Sequence, residues 1–384
     1  MTLKILSKIN FIFLVFFLAS SANAKVKSKD INFPGKFYVK NIKRCEAMGN
    51  LTFDNKKAIK RVKGFVGYDW HTDHKENSNS LTVKHENITE PIMMMMVSTY
   101  NAIANKNSKN IDIAKKFLVE IAKAKTLYDS IGYSELKSKP NCWKDSDVKA
   151  PCWYHEYQFA RDVFGNYMIT ALFLKSELNE EEFEIVNSYI KKMYKKFLKP
   201  KQFKASERGF YQMANGGIPT LVYSSWINNK KLAAKEINFR FKEINNLFYD
   251  DGYINNNSFR GVRAQWYHSY GLNSALAFVY ISELWGASIP EEIMKKLTHA
   301  SNLVNLAITD YDTFRSRPFT GKYNSNKSED PAHARKHTHQ DALGIDVLMK
   351  IVTDVRLDYD PVYLKKRANR GIDDTIGFNP NCIE

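Results

Sequence analysis

Hydrophobic runs long enough to cross a bilayer are missing from this chain, and that absence sorts its first 24 residues. Crossing takes roughly 20 consecutive apolar residues; the run Phe11 to Ala19 is well short, and no later stretch approaches that length. It follows Lys4 and Lys8 and precedes Ala22-Asn23-Ala24, the basic, apolar and small-residue zones of a secretory leader. The expectation is cleavage near Ala24, a mature chain from Lys25, no membrane attachment afterwards, and a periplasmic or secreted location.

Cysteine is scarce. Cys45, Cys142, Cys152 and Cys382 match no zinc spacing, and an exported chain favours their oxidation. Three pairings are open, of which Cys142 with Cys152 and Cys45 with Cys382 is the most economical. Acid is the scarcer charge: 41 Asp and Glu against 57 Lys and Arg give a formal net charge of +16. The leader holds two lysines and no acid, which leaves +14 on the remainder. Such a chain attracts polyanions. Export and the lack of a recognition motif exclude nucleic acid as the expected partner. A linker rich in Gly, Ser or Pro is missing too, as is any internal repeat, so residues 25–384 read as one domain. Alternating strands are nearly absent; Lys36 to Val39 and Ser80 to Val83 are the two short candidates.

What is present is helical periodicity. Apolar residues recur at three and four over 91–106, 111–130, 153–176, 179–198, 219–227, 231–248, 263–286, 290–312 and 341–354. Asn179 stands as an N-cap before Glu180 and Glu181, and Pro290 opens another first turn. Helical hairpins in series predict an all-α fold, an incomplete (α/α) toroid or barrel over 91–384. Residues 25–90 read as a polar, irregular arm and lid. Met93 to Met96 read as core filler.

The most informative stretch runs from Asp250-Asp251-Gly252-Tyr253 to Tyr270. If a helix passes through it, Arg260, Arg263, Tyr267 and Tyr270 share one face, at offsets 0, 3, 7 and 10. Two guanidiniums and two phenols there suggest an anion-binding cleft as readily as a solvated stripe. Cleaving a 4-linked uronate by β-elimination needs such groups. The C5 proton is weakly acidic while the adjacent carboxylate keeps its charge, so cations or amides must stabilise the enolate-like intermediate. A tyrosine among cations can take that proton and return one to the leaving oxygen. No metal or cofactor is required.

The block resembles the mannuronate-specific alginate lyases of polysaccharide lyase family 5, whose segment has the form G-F-L-P-N…R-x-x-R-A-x-x-Y-H-N-Y-A-L. Here it reads Gly252-Tyr253-Ile254-Asn255-Asn256, then Arg260-x-x-Arg263-Ala264-x-x-Tyr267-His268-Ser269-Tyr270-Gly271-Leu272, without a gap. The resemblance implies that Arg260 neutralises the carboxylate and that Tyr267 is base and acid. The family's Asn-Asn-His-Ser-Tyr-Trp, one helix earlier, is replaced by Tyr211-Gln212-Met213-Ala214-Asn215-Gly216-Gly217-Ile218. Asn215 or Gln212 would then complete the clamp, and His155 or His268 would stand in for the missing histidine. That departure opens a sibling substrate such as glucuronan.

Trp153, Tyr154 and His155 begin another helix, as sugar-subsite residues or partly as core. His333, His337 and His339 lack a metal-binding frame and sit among cations, so a polar helix start is expected there. Trp70 to His74 reads as a lid loop or a solvated turn. The expectation is therefore a monomeric polyuronate lyase. Its catalytic residues are Tyr267, Arg260, Asn215 and His268; Gln212, Arg263, Tyr270, Trp153, Tyr154 and His155 bind substrate. A glycoside hydrolase using two of Asp250, Asp251, Glu156, Asp310 and Asp312 is the rival enzyme; an exported polyanion-binding protein is the non-catalytic alternative.

Overall fold

The computed structural model describes residues 25–34, 53, 56–68, 88–128, 153–199, 217–255, 257–259, 264–315, 345–357 and 375–377, with backbone only at 153–162 and 315. The fold is all-α. Its helices are α1 (Lys56–Phe65), α2 (Glu90–Ala104), α3 (Ser108–Ala124), α4 (Trp153–Leu174), α5 (Glu180–Met193), α6 (Ile218–Trp226), α7 (Lys230–Leu247), α8 (Ala264–Leu284), α9 (Glu291–Thr309), α10 (Tyr311–Arg315) and α11 (Asp346–Thr353). A π-helical turn, Tyr194–Leu198, continues α5. No strand occurs among the described residues, where one antiparallel bridge joins Phe248 to Ile254.

Asparagine starts three of these helices. The Asn107 and Asn229 side chains accept from the backbone N–H of Asn110 and Leu232. Asn179 forms a full capping box: its side chain accepts from Glu182 N–H and its own N–H donates to the Glu182 carboxylate, both at 2.9 Å. Each cap satisfies an N–H that the helix itself leaves unpaired.

Two kinds of helix follow from the apolar pattern. α2, α6, α8 and the described part of α4 are buried around most of their circumference. α3, α5, α7 and α9 bury one face each. Accordingly α2 packs on α4 and α4 on α6, while α3 covers α2, α7 covers α6, and α9 covers α8. Gly165 lets α4 and α6 meet closely, since a Cβ there would lie 2.9 Å from the Pro219 ring. Met95 and Met96 are fully buried, as the core reading expects.

The N-terminal stretch corrects one expectation. Within what reads as an irregular arm, Lys56–Phe65 is a helix that buries Ala58, Val62 and Phe65. Those positions sit at i, i+4 and i+7, a helical stripe on a strongly basic background. Residues 25–34 are docked. Val26 exchanges two hydrogen bonds with the Asn238 side chain, and Asn32 N–H donates to Trp285 O at 2.8 Å. The two expected short strands, the Trp70 to His74 loop and all four cysteines lie outside the described residues.

One ion cluster is set into this packing. Arg240 of α7 is buried and donates to Glu236 at 2.8 Å and to Glu243 at 2.7 Å. Burial opposes its charge, but the two carboxylates outweigh that and raise its pKa. Gly217 turns into α6 against this group at φ +101; a Cβ there would sit 2.7 Å from both Arg240 Nε and Glu236 Oε1. Removing one partner of a buried ion group strands the others without compensation. Arg240→Ala is therefore expected to lower unfolding free energy by about 3–5 kcal/mol, read from the midpoint of urea denaturation. An unchanged midpoint would show that water compensates Glu236 and Glu243.

Candidate functional site

The site is assembled from the turn after α7, the start of α8 and the middle of α9. The chain leaves α7 and folds back at once. Tyr249 N–H donates to Tyr253 O at 2.8 Å, Gly252 N–H to Tyr249 O at 3.0 Å, and Asn255 N–H to Leu247 O at 2.8 Å. Gly252 adopts φ +89, and a Cβ on it would lie 2.5 Å from the backbone oxygen of His299. Glycine is thus required twice over, by its torsion and by its neighbour. Lys296 of α9 donates to Asn245 O and Phe248 O at 2.8 and 2.7 Å, satisfying carbonyls at the C-terminal end of α7.

His268 locks this turn to α8 and α9. Ile254 N–H donates to Ser258 Oγ at 2.7 Å, and Ser258 Oγ meets His268 Nδ1 at 2.8 Å. His268 Nε2 meets Ala300 O at 2.9 Å. A carbonyl only accepts, so Nε2 carries the proton and Nδ1 accepts from the serine hydroxyl. The ring is neutral and fully buried, with its pKa held down at about 4 by desolvation, which the Ala300 hydrogen bond only partly offsets. Asn257, also fully buried, donates to Tyr267 O at 2.8 Å. It lies against α8 at Gly271, where a Cβ would come within 2.6 Å of its amide nitrogen. Tyr253, Phe259, Tyr311 and Phe314 fill the space beneath as a small apolar cluster.

This geometry corrects the reading of His268 as a substrate-contacting or catalytic group. Both ring nitrogens are engaged and no part of the ring reaches solvent. The ring ties the start of α8 to the turn after α7 and to α9. Tyr267 is partly exposed on the opposite side, and Tyr270, one turn on, is 48% exposed. Trp266 joins them: its indole centroid is 5.1 Å from the Tyr267 ring and 5.5 Å from the Tyr270 ring. Sequence reasoning passed over Trp266, although its i, i+4 spacing to Tyr270 was visible.

The structure therefore brings Tyr267 and Tyr270 to one patch. The described part of α8 begins at Ala264, so the expected face shared with Arg260 and Arg263 lies outside the described residues. Arg260, Arg263, Gln212 and Asn215 lie outside the described residues. α4 begins at Trp153 as expected, and the side chains of Trp153, Tyr154 and His155 are likewise outside, as are His333, His337 and His339. Among the described residues no group of three His, Cys, Asp or Glu side chains is placed to hold a metal ion, and no helix is long and apolar enough to span a membrane.

The carboxylates of the rival reading have other work. Asp310 accepts from Thr313 N–H and hydroxyl as a helix cap, and those hydrogen bonds lower its pKa, the wrong direction for a general acid. Asp251 accepts from Tyr253 N–H within the turn, and exposed Asp250 pairs with Lys296. Asp312 is exposed, and the Glu156 side chain lies outside the described residues.

No family model matches the chain, and no curated protein matches its sequence.

The neutral His268 has a measurable consequence. Its folded pKa of about 4 is below its ordinary 6.5, so between those values the unfolded chain binds more protons. This contribution to stability is complete above about pH 6.5 and is lost as pH falls towards 4. The slope approaches about 1.4 kcal/mol per pH unit. His268→Gln removes it. The stability difference between parent and variant should then narrow by about 3 kcal/mol from neutral pH to about pH 4, measured by urea unfolding across that range. A pH-independent difference would contradict a neutral, desolvated imidazole.

Proposed function

We propose that this protein is an exported polysaccharide lyase that cleaves an acidic polyuronate, mannuronan or a related glucuronan, by β-elimination. The observation that carries the reading is the partly exposed Tyr267, near the start of α8 beside two exposed aromatic rings. In sequence it follows Arg260 and Arg263 by seven and four residues, in a chain of net charge +16. The resemblance of Gly252 to Leu272 to family 5 lyases assigns the same tyrosine as base and acid.

In the proposed reaction Arg260 and an amide, Asn215 or Gln212, neutralise the uronate carboxylate. Tyr267, as the phenolate, takes the C5 proton and becomes the phenol. The C–H electrons form the C4–C5 double bond as the C4–O bond breaks, and the leaving oxygen takes up a proton from the phenol. One fragment then ends in an unsaturated uronate and no water is consumed. His268 is buried with both ring nitrogens engaged, so a group other than His268 must supply the family's missing histidine, with His155 the remaining candidate. The helical layers would form the incomplete (α/α) toroid expected from sequence, with α2, α4, α6 and α8 on its inner side. In this reading the leader is removed after Ala24, and the mature protein acts in the periplasm or beyond as a monomer without cofactor.

The test is ultraviolet absorbance during incubation of the mature protein with polymannuronate, polyguluronate, glucuronan and hyaluronan. One polymer should give the rising absorbance of an unsaturated uronate. Tyr267→Phe should slow that rise by about 10²–10⁴-fold while leaving polymer binding intact. New reducing ends without the absorbance would replace the lyase with a hydrolase; binding without either product would leave a polyanion-binding protein.

A further inference from the structure

We propose that Trp266, braced by Tyr270, is a stacking platform for the pyranose next to the one on which Tyr267 acts. This rests on the polyuronate reading and extends it to a residue that the sequence pattern leaves unassigned. Five large hydrophobic side chains are exposed among the described residues, and two of them, Trp266 at 36% and Tyr270 at 48%, touch each other. The other three, Phe239, Leu284 and Ile351, stand at separate places on α7, the end of α8 and α11. Phe239 is further accounted for by the Arg240 guanidinium, 5.1 Å from its ring centroid.

The indole touches two phenol rings, inclined at 40° to that of Tyr267 and 64° to that of Tyr270. The second contact is edge to face, the geometry that aromatic quadrupoles favour. It restrains the Trp266 rotamer before any ligand arrives, so little side-chain entropy is lost on binding. The backbone below is held by Asn257 and His268. A preorganised aromatic surface of this kind suits a pyranose. The C–H bonds of a sugar face carry partial positive charge and pack on a π face, while hydroxyls and carboxylates at the ring edge reach phenols and cations. Arg263 stands three residues before Trp266 in sequence.

Size points the same way. An aromatic side chain carries roughly 150–250 Å² in all; with Trp266 36% and Tyr270 48% exposed, the pair offers only part of that, far below the 1,000 Å² or so that a stable protein interface needs. One sugar ring fits that area. Continuity with Tyr267 makes it a uronate of the chain being cut.

The experiment measures binding of mannuronate and glucuronate tetrasaccharides by titration calorimetry and tryptophan fluorescence, with Tyr267→Phe as the non-cleaving parent. Trp266→Ala in that background should weaken binding about tenfold or more. Trp266→Phe should restore most of the affinity while abolishing the ligand-dependent fluorescence change. With Tyr267 intact, Trp266→Ala should raise KM and leave kcat within about threefold. Equal affinity for parent and Trp266→Ala overturns the platform, whatever the turnover. Failure of every variant, parent included, to bind either oligosaccharide also overturns it. Binding that depends on Trp266 in a protein that forms no unsaturated product sustains the platform and removes the lyase reading instead.

Discussion

From Ile254 to Ala300 a chain of hydrogen bonds passes through the Ser258 hydroxyl and the His268 imidazole, all of them fully buried. Three separate pieces of structure meet there: the turn that follows α7, the start of α8 and the middle of α9. Buried polar groups are costly unless every partner is present, so the chain works as a unit. The serine hydroxyl accepts from one backbone and donates to the ring, and the ring donates to another backbone. Removing Ser258 strands the Ile254 N–H and His268 Nδ1, and removing His268 takes away the acceptor of the Ser258 hydroxyl. Gly252, pressed on His299, and Asn257, pressed on Gly271, close the same joint from two other sides.

This joint explains why the first turn of α8 can expose aromatic rings. A helix start with Trp266, Tyr267 and Tyr270 turned outward gains little from burying them. Its position is set instead by the opposite face, where His268, Ser269, Leu272 and Ala275 are buried. Catalysis of the proposed kind demands that arrangement, because a phenol that moves a proton to and from a sugar needs placement to a fraction of an ångström. The same logic separates the two neighbouring residues. On the proposed reading Tyr267 would face the polymer, while His268 is buried against the turn after α7 and α9. A neutral imidazole suits that place, since a charged one would bring an unpaired cation into the core.

Much of this was legible in the residues and some was not. Helix positions followed from apolar periodicity, and the Asn179 N-cap from the glutamates after it; the reciprocal bond from Glu182 is the structure's addition. The all-α class followed from the scarcity of alternation. Lys56–Phe65 was passed over because its many lysines masked a stripe of three apolar residues. His268 was misread for a physical reason: a histidine beside a candidate catalytic tyrosine looks like a partner. On a helix, however, adjacent residues point about 100° apart, and here that turn sends one to solvent and the other to the core. Trp266 falls on none of the positions that the Arg and Tyr offsets pick out. The roles of Asn257 and Ser258 depend on contacts ten residues along the chain, which no local pattern announces.

The central claim, that the polymer is cut by elimination at Tyr267, is tested most directly by the mass of the products formed in isotopically heavy-oxygen water. The account predicts a non-reducing end lighter by one water than a hydrolysis product, no heavy oxygen built in by the cleavage itself, and loss of these products in Tyr267→Phe. Incorporation of one solvent oxygen per bond cut would contradict it and assign hydrolysis to the site.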